Sequence, residues 1–198
     1  RTLPAAQSPP EVRSDLACAA LGDKIYVLGG YDGNYEAGSK PHMIATLSSA
    51  GTLTWTDGPA YPTARGDCKA IAIDGKIALV GGWSLPFGAA PVPTAAVELY
   101  DPSSRSWTSK TPLPTARGDM ALAVIPGDDH EGGPHLFVAG GEVGSGRGWA
   151  TEVPRHDTEY ISIRAKLSPL KTVRESSSLS CCANRKQNCR PIQRPVLF

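Results

Sequence analysis

The sequence predicts an all-β fold built from repeated four-stranded sheets, and three observations predict it. A 52-residue period runs through most of the chain: Pro10, Pro62 and Pro114 recur at that interval, as do Arg13, Arg65 and Arg117, and Asp15, Asp67 and Asp119. Trp55 and Trp107 keep the same spacing. Each period also carries apolar runs of strand length, and one of them ends in a glycine pair: Gly29-Gly30, Gly81-Gly82 and, 59 residues later, Gly140-Gly141. Four strands in about 50 residues, repeated in tandem, are the signature of a β-propeller blade rather than of a sandwich.

Within each unit the elements follow in a fixed order. After Arg-x-Asp comes a first apolar run, at Leu16 to Leu21, Cys68 to Ile73 and Met120 to Ile125. The Gly-Asp or Asp-Gly that follows in the first two units tolerates the positive φ angles of a tight hairpin. The second run reads KIYVLGG, KIALVGG and HLFVAGG, apolar at nearly every position, which predicts strands buried on both faces. A loop of variable length leads to a third strand, Ala95 to Tyr100 in unit two, then to an Asp101 to Ser104 turn and a fourth strand carrying the Trp. The extra seven residues of unit three fall within Pro126 to His135, a polar, Gly-rich expansion suited to a hairpin tip.

These residues resemble the kelch repeat, most completely in unit two with Arg65, Gly81-Gly82, Tyr100-Asp101-Pro102 and Trp107. Unit one keeps Arg13, Gly29-Gly30 and Trp55 without the Tyr-Asp-Pro; in unit three His156-Asp157 is expected to stand in its place. The resemblance covers roughly residues 10 to 160. It assigns structural roles to Gly29, Gly30, Trp55, Gly81, Gly82, Tyr100, Trp107, Gly140 and Gly141. The glycines permit close backbone approach and the aromatics supply apolar area between blades. The repeats are expected at about 10–61, 62–113 and 114–160, within a propeller segment 1–160. Three blades are fewer than the 4 to 8 of a closed propeller, so a piece of a longer chain is expected, with self-association possible through open blade edges.

The bulk charge hides two compositions. The 198 residues sum to +1, but those up to Tyr160 carry 12 Lys and Arg against 18 Asp and Glu, whereas residues 161–198 carry 8 against 1. The second segment has no Gly, Trp or Tyr and reads as a basic, disordered or out-of-frame tail. No stretch approaches the roughly 20 apolar residues of a membrane span. Only Cys18 and Cys68 lie in the repeated part, too few for a disulfide framework, which points to a cytoplasmic setting.

Arg-Gly-Asp occurs at Arg65 to Asp67 and Arg117 to Asp119, but in repeat register, which makes it part of the blade and not an adhesion signal. Asp128 to Glu131 with His135 could ligate a metal, and a polar hairpin insertion explains them as well. Cys181, Cys182 and Cys189 lack the fourth ligand that structural zinc sites require. No cofactor, metal, membrane or nucleic-acid partner is expected.

In an up-and-down meander the link into strand one and the loop after strand two emerge on one face. That face is expected to bind a protein partner through Arg13, Tyr31, Tyr35, Arg65, Trp83, Phe87, Arg117, Arg147 and Trp149, since aromatic and Arg residues dominate interface hot spots. The kelch resemblance implies a noncatalytic interaction module, the substrate-reading part of a larger adaptor. The alternative it implies is a fragment of a propeller enzyme akin to galactose oxidase or a sialic-acid mutarotase.

Overall fold

The computed structural model describes residues 4–32, 41–84, 91–127, 133–144, 153–154 and 158–162. Among them the one helical element is a 3-10 turn at Ala5–Gln7, and everything else is strand or connection. Blade one is an antiparallel sheet in chain order: β1 (Ser14–Leu21), β2 (Lys24–Tyr31), β3 (Pro41–Leu47) and β4 (Leu53–Ala60). In blade two, β5 (Lys69–Ile73) and β6 (Lys76–Val80) are followed by a two-stranded ribbon, β7 (Trp83–Ser84) and β8 (Val92–Pro93). The blade then resumes with β9 (Val97–Asp101) and β10 (Ser106–Ser109), giving the order β5-β6-β9-β10. Blade three pairs β11 (Ala121–Ile125) with β12 (His135–Ala139). A second ribbon, β13 (Glu142–Val143) with β14 (Val153–Pro154), precedes β15 (Thr158–Ser162), which pairs with β12.

The sequence pattern explains these sheets. The second strands are the most buried, as their continuous apolar runs require: Leu28, Ile77, Leu79, Val80, Leu136 and Val138 are almost fully enclosed. The tight turns between first and second strands use positive φ at Gly22, and at Asp74 and Gly75. Gly29 has φ +68°, and a Cβ there would lie 2.7 Å from the Arg65 carbonyl oxygen, so both the conformation and the close approach demand glycine.

Two cores lie between the three sheets. The first joins blades one and two through Ala17, Ala19, Tyr26, Leu28, Ile44, Tyr61, Cys68, Ile77, Leu79 and Tyr100. At its outer end Trp107 packs edge-on against His42 and Tyr61, with centroids 5.5 and 6.3 Å apart. Such aromatic pairs add about 0.5–1.5 kcal/mol beyond their buried area. The second joins blades two and three through Ile73, Ala78, Val80, Val97, Leu99, Leu113, Met120, Leu136 and Val138.

Register corrects one sequence assignment. Ile77 pairs with Tyr100, and its counterpart Leu136 pairs with Ile161, so Ile161 and not His156 holds the tyrosine position in blade three. His156 and Asp157 lie outside the described residues, and β15 runs to Ser162, two residues into the segment assigned to the tail. The rest of that segment, residues 163–198, also lies outside them.

Candidate functional site

The blade end expected to bind is assembled as the meander requires. Ser14 pairs with Tyr31, Lys69 with Val80 and Ala121 with Ala139, so each first strand begins beside the end of the second. The arginine links and the loops after the diglycines therefore share one end of the molecule.

The side chains there differ from the expectation. Arg65 and Arg117 are fully buried, and the Arg13 side chain is 3% exposed. The guanidinium groups satisfy main-chain carbonyls at or near the ends of the second strands. Arg65 donates to Thr63 O at 2.6 Å, to Leu79 O at 3.1 Å and to Glu98 Oε2 at 2.7 Å. Arg117 donates to Gly140 O at 2.8 Å and Thr115 O at 3.4 Å. Arg13 reaches Gly29 O, Pro41 O and the Glu11 carboxylate. These are stitches inside the blades, and with Arg65 and Arg117 buried neither Arg-Gly-Asp presents an adhesive tripeptide.

Tyr31 and Trp83 are likewise buried, at 1% and 0% exposure. Each ring lies over a glycine of the following blade: Tyr31 covers Gly66 and Trp83 covers Gly118, and a Cβ at either glycine would overlap the ring. The Tyr31 hydroxyl donates to Asp67 Oδ2 at 2.9 Å and approaches Trp83 O at 3.2 Å. Burial and the Asp67 carboxylate hold this phenol well above its usual range. Tyr35, Phe87, Arg147 and Trp149 lie outside the described residues.

Sequence reasoning missed the acidic row at this end. Asp15, Asp67 and Asp119 each adopt φ +52°, a left-handed conformation uncommon outside glycine. They are joined through the backbone, with Asp67 N–H donating to Asp15 O at 2.9 Å and Asp119 N–H to Asp67 O at 3.0 Å. Burial, helped by the neighbouring Asp119 and Asp15, raises the Asp67 carboxyl to about 6 against the opposing Tyr31 hydrogen bond. Burial also raises Asp119, whose carboxylate sits 3.7 Å from Lys69. The 52-residue recurrence of these aspartates was the signal available in sequence; their alignment across blades needs the fold.

Among the described residues no group of three His, Cys, Asp or Glu side chains is placed to hold a metal ion. His135 is buried on β12, whereas Asp128 to Glu131 lie outside the described residues.

Antiparallel sheets, two of four strands and one of three among the described residues, packed face to face around their first strands define a β-propeller, and the described residues form an arc of one, not a closed ring. The sequence matches the kelch motif over residues 13–40 and 64–114. It is 31% identical to Kelch-like protein terF of Aspergillus terreus over 120 residues, which are 59% of this chain and 26% of that protein. It is 30% identical to mouse Kelch-like protein 35 over 141 residues, 71% of this chain and 21% of the other. The solved structure of YjhT shares the fold, with a TM-score of 0.54 at 19% identity, covering 68% of this chain and 36% of that one. The chain belongs to the kelch-repeat family. It spans between a fifth and about a quarter of the length of these two relatives.

Proposed function

We propose that this chain is a noncatalytic protein-interaction module whose recognition surface is the end bearing the diglycine loops. The observation that carries this reading is the internal bracing of that end. Three buried arginines, two aromatic rings seated on glycines and a backbone ladder through three aspartates fix the bases of the variable loops. Loops on such a scaffold present a preorganised surface, which reduces the ordering cost of binding. With Arg13, Tyr31, Arg65, Trp83 and Arg117 committed inside, recognition falls to Tyr35, Phe87, Arg147 and Trp149 of the variable loops, and Asp15 and Asp119 are exposed at the blade end where the arginine links lie. Membership of a larger adaptor is part of the proposal, in keeping with the longer relatives.

The test is affinity capture of partners by the full-length protein carrying Tyr35→Ala, Phe87→Ala and Trp149→Ala. Loss of specific partners at an unchanged melting temperature is the expected result. Unchanged recovery of every partner overturns the reading.

A further inference from the structure

The Tyr31 phenol sits where two blades and a loop base meet, and its one hydroxyl hydrogen lies within reach of two acceptors. Tyr31 closes β2 of blade one, and its ring lies over Gly66 in the link to blade two. Gly66 is bridged to Trp83 by two main-chain bonds, Gly66 N–H to Trp83 O at 3.0 Å and Trp83 N–H to Gly66 O at 2.8 Å. That bridge is the base of the β7–β8 ribbon, which brackets residues 85–90. The Tyr31 oxygen lies 2.9 Å from Asp67 Oδ2 and 3.2 Å from Trp83 O. A carboxylate is the stronger acceptor, so while Asp67 is charged the phenol hydrogen points to it.

The surroundings of Asp67 work against that charge. The carboxyl is half-buried in the aspartate row, with Asp15 ahead of it and Asp119 behind it along the backbone ladder. Lys69 of β5 lies close enough to favour the charge, but its ammonium is 3.7 Å from Asp119. The adjoining Cys68 thiol is pushed up to about 11 by burial and stays neutral, and the Arg65 guanidinium is committed to Glu98. Burial is the main reason the Asp67 carboxyl titrates near 6; the Tyr31 hydrogen bond and Lys69 oppose it, and Asp119 and Asp15 reinforce it. The phenol, held far above its usual range, keeps its own proton throughout.

We propose that Asp67, Tyr31 and the Trp83 carbonyl form a proton-controlled hydrogen-bond switch at the base of the β7–β8 loop. One proton passes from water to Asp67 Oδ2. The new carboxyl O–H donates to the Tyr31 oxygen, and the Tyr31 hydrogen, without leaving that oxygen, turns to Trp83 O. The carbonyl then accepts from Gly66 N–H and from the phenol together, which ties blade one to the ribbon as well as to the link. The seam between blades two and three lacks this device: the ring over Gly118 is Trp83, an indole with no hydroxyl, and Asp119 faces Lys69. As regulation of the diglycine end, the switch rests on the recognition reading above, but it can be read with no partner present.

Amide hydrogen exchange of the full-length protein, followed from about pH 7.5 to about pH 5 and corrected for the intrinsic effect of pH, tests it. Protection of Gly66 and Trp83 should rise about fivefold as pH falls through about 6, as one added neutral hydrogen bond requires. Asp67→Asn should hold the higher protection at every pH, because its amide donates to the Tyr31 oxygen and asparagine tolerates the φ of +52° found there. Tyr31→Phe keeps a ring over Gly66 without the hydrogen and should stay at the lower protection throughout. Asp119→Asn should keep the response with its midpoint moved down, since a like charge is gone. Constant protection in the unmodified protein, a response that survives in Tyr31→Phe, Asp67→Asn fixed at the lower level, or loss of the response in Asp119→Asn each overturns the switch. None of these results alters partner capture by the loops, and failed capture leaves the exchange response in place, so the two readings fail separately.

Discussion

Arg13 and Arg65 stand at the same register in neighbouring blades, yet they take their carboxylates from different places. Arg65 reaches across its blade to Glu98 on β9, and both side chains are closed to solvent, at 0% and 2% exposure. Glu98 lies opposite Leu79; the residue opposite the equivalent Val27 in blade one is Met43, which offers no charge. Arg13 pairs instead with Glu11, two residues before it in the link, where the carboxylate is 40% exposed. The repeat therefore dictates where a guanidinium sits and which carbonyls it satisfies, and each blade supplies its counter-charge from wherever its own sequence allows. In blade three the backbone of Glu159 lies opposite Val138, at the position Glu98 holds in blade two.

The comparison breaks most sharply at Glu98. Glu98→Ala leaves a buried guanidinium without its carboxylate, and stability should fall by roughly 3–5 kcal/mol, read by chemical denaturation. A loss under about 1 kcal/mol would mean that the carbonyl contacts alone hold Arg65.

The next effect is pH-dependent and belongs to the acidic row. Folding raises Asp67 from 3.8 to about 6, so at neutral pH the folded state carries a carboxylate that burial disfavours. Below pH 6 the folded state binds a proton that the unfolded chain does not take up until about pH 4, and stability from this group rises as pH falls through that window. His42 acts in the opposite sense. Its Nδ1 donates to Pro59 O at 2.7 Å, its Nε2 is buried, and burial lowers its pKa to about 4, so it costs stability as pH falls below 6.5. Asp67→Asn separates the two contributions. Relative to this variant, the unmodified protein should gain of the order of 1 kcal/mol between pH 7 and pH 4 after allowance for solvent screening, measured as thermal stability at each pH. A flat difference would rule out titration of Asp67 in this range.

The smallest effect is expected at Glu11→Ala. This partly exposed pair should contribute less than about 1 kcal/mol, and its contribution should diminish in high salt. If Glu11→Ala matched Glu98→Ala in denaturation, the distinction between the two arginines would collapse.

The fold was largely legible because a period is a global signal: spacing alone located the diglycines, the hairpin turns and the third and fourth strands of blade two. What escaped was local. Register placed Ile161 where His156 had been expected, since the loop before β15 has no fixed length. The candidate face was legible as a location and not as chemistry. Arginine and aromatic residues score as recognition residues by composition, and only the carbonyls near the ends of the second strands and the glycine seats beneath Tyr31 and Trp83 reveal that these five are internal. The left-handed aspartates were visible as a repeat, but nothing in sequence joins Asp15 to Asp67 and Asp119 through main-chain hydrogen bonds.

The indole bonds of Trp55 and Trp107 extend this logic to how the chain tolerates rearrangement. Each Trp grips a carbonyl 48 residues upstream, so a blade is finished by chain that precedes its own repeat, and structural and sequence units are offset. Excising one 52-residue period at any two equivalent positions would still leave every Trp a carbonyl to grip. Excision of blade one along its visible limits, residues 14–60, would remove Pro59 and strand Trp107.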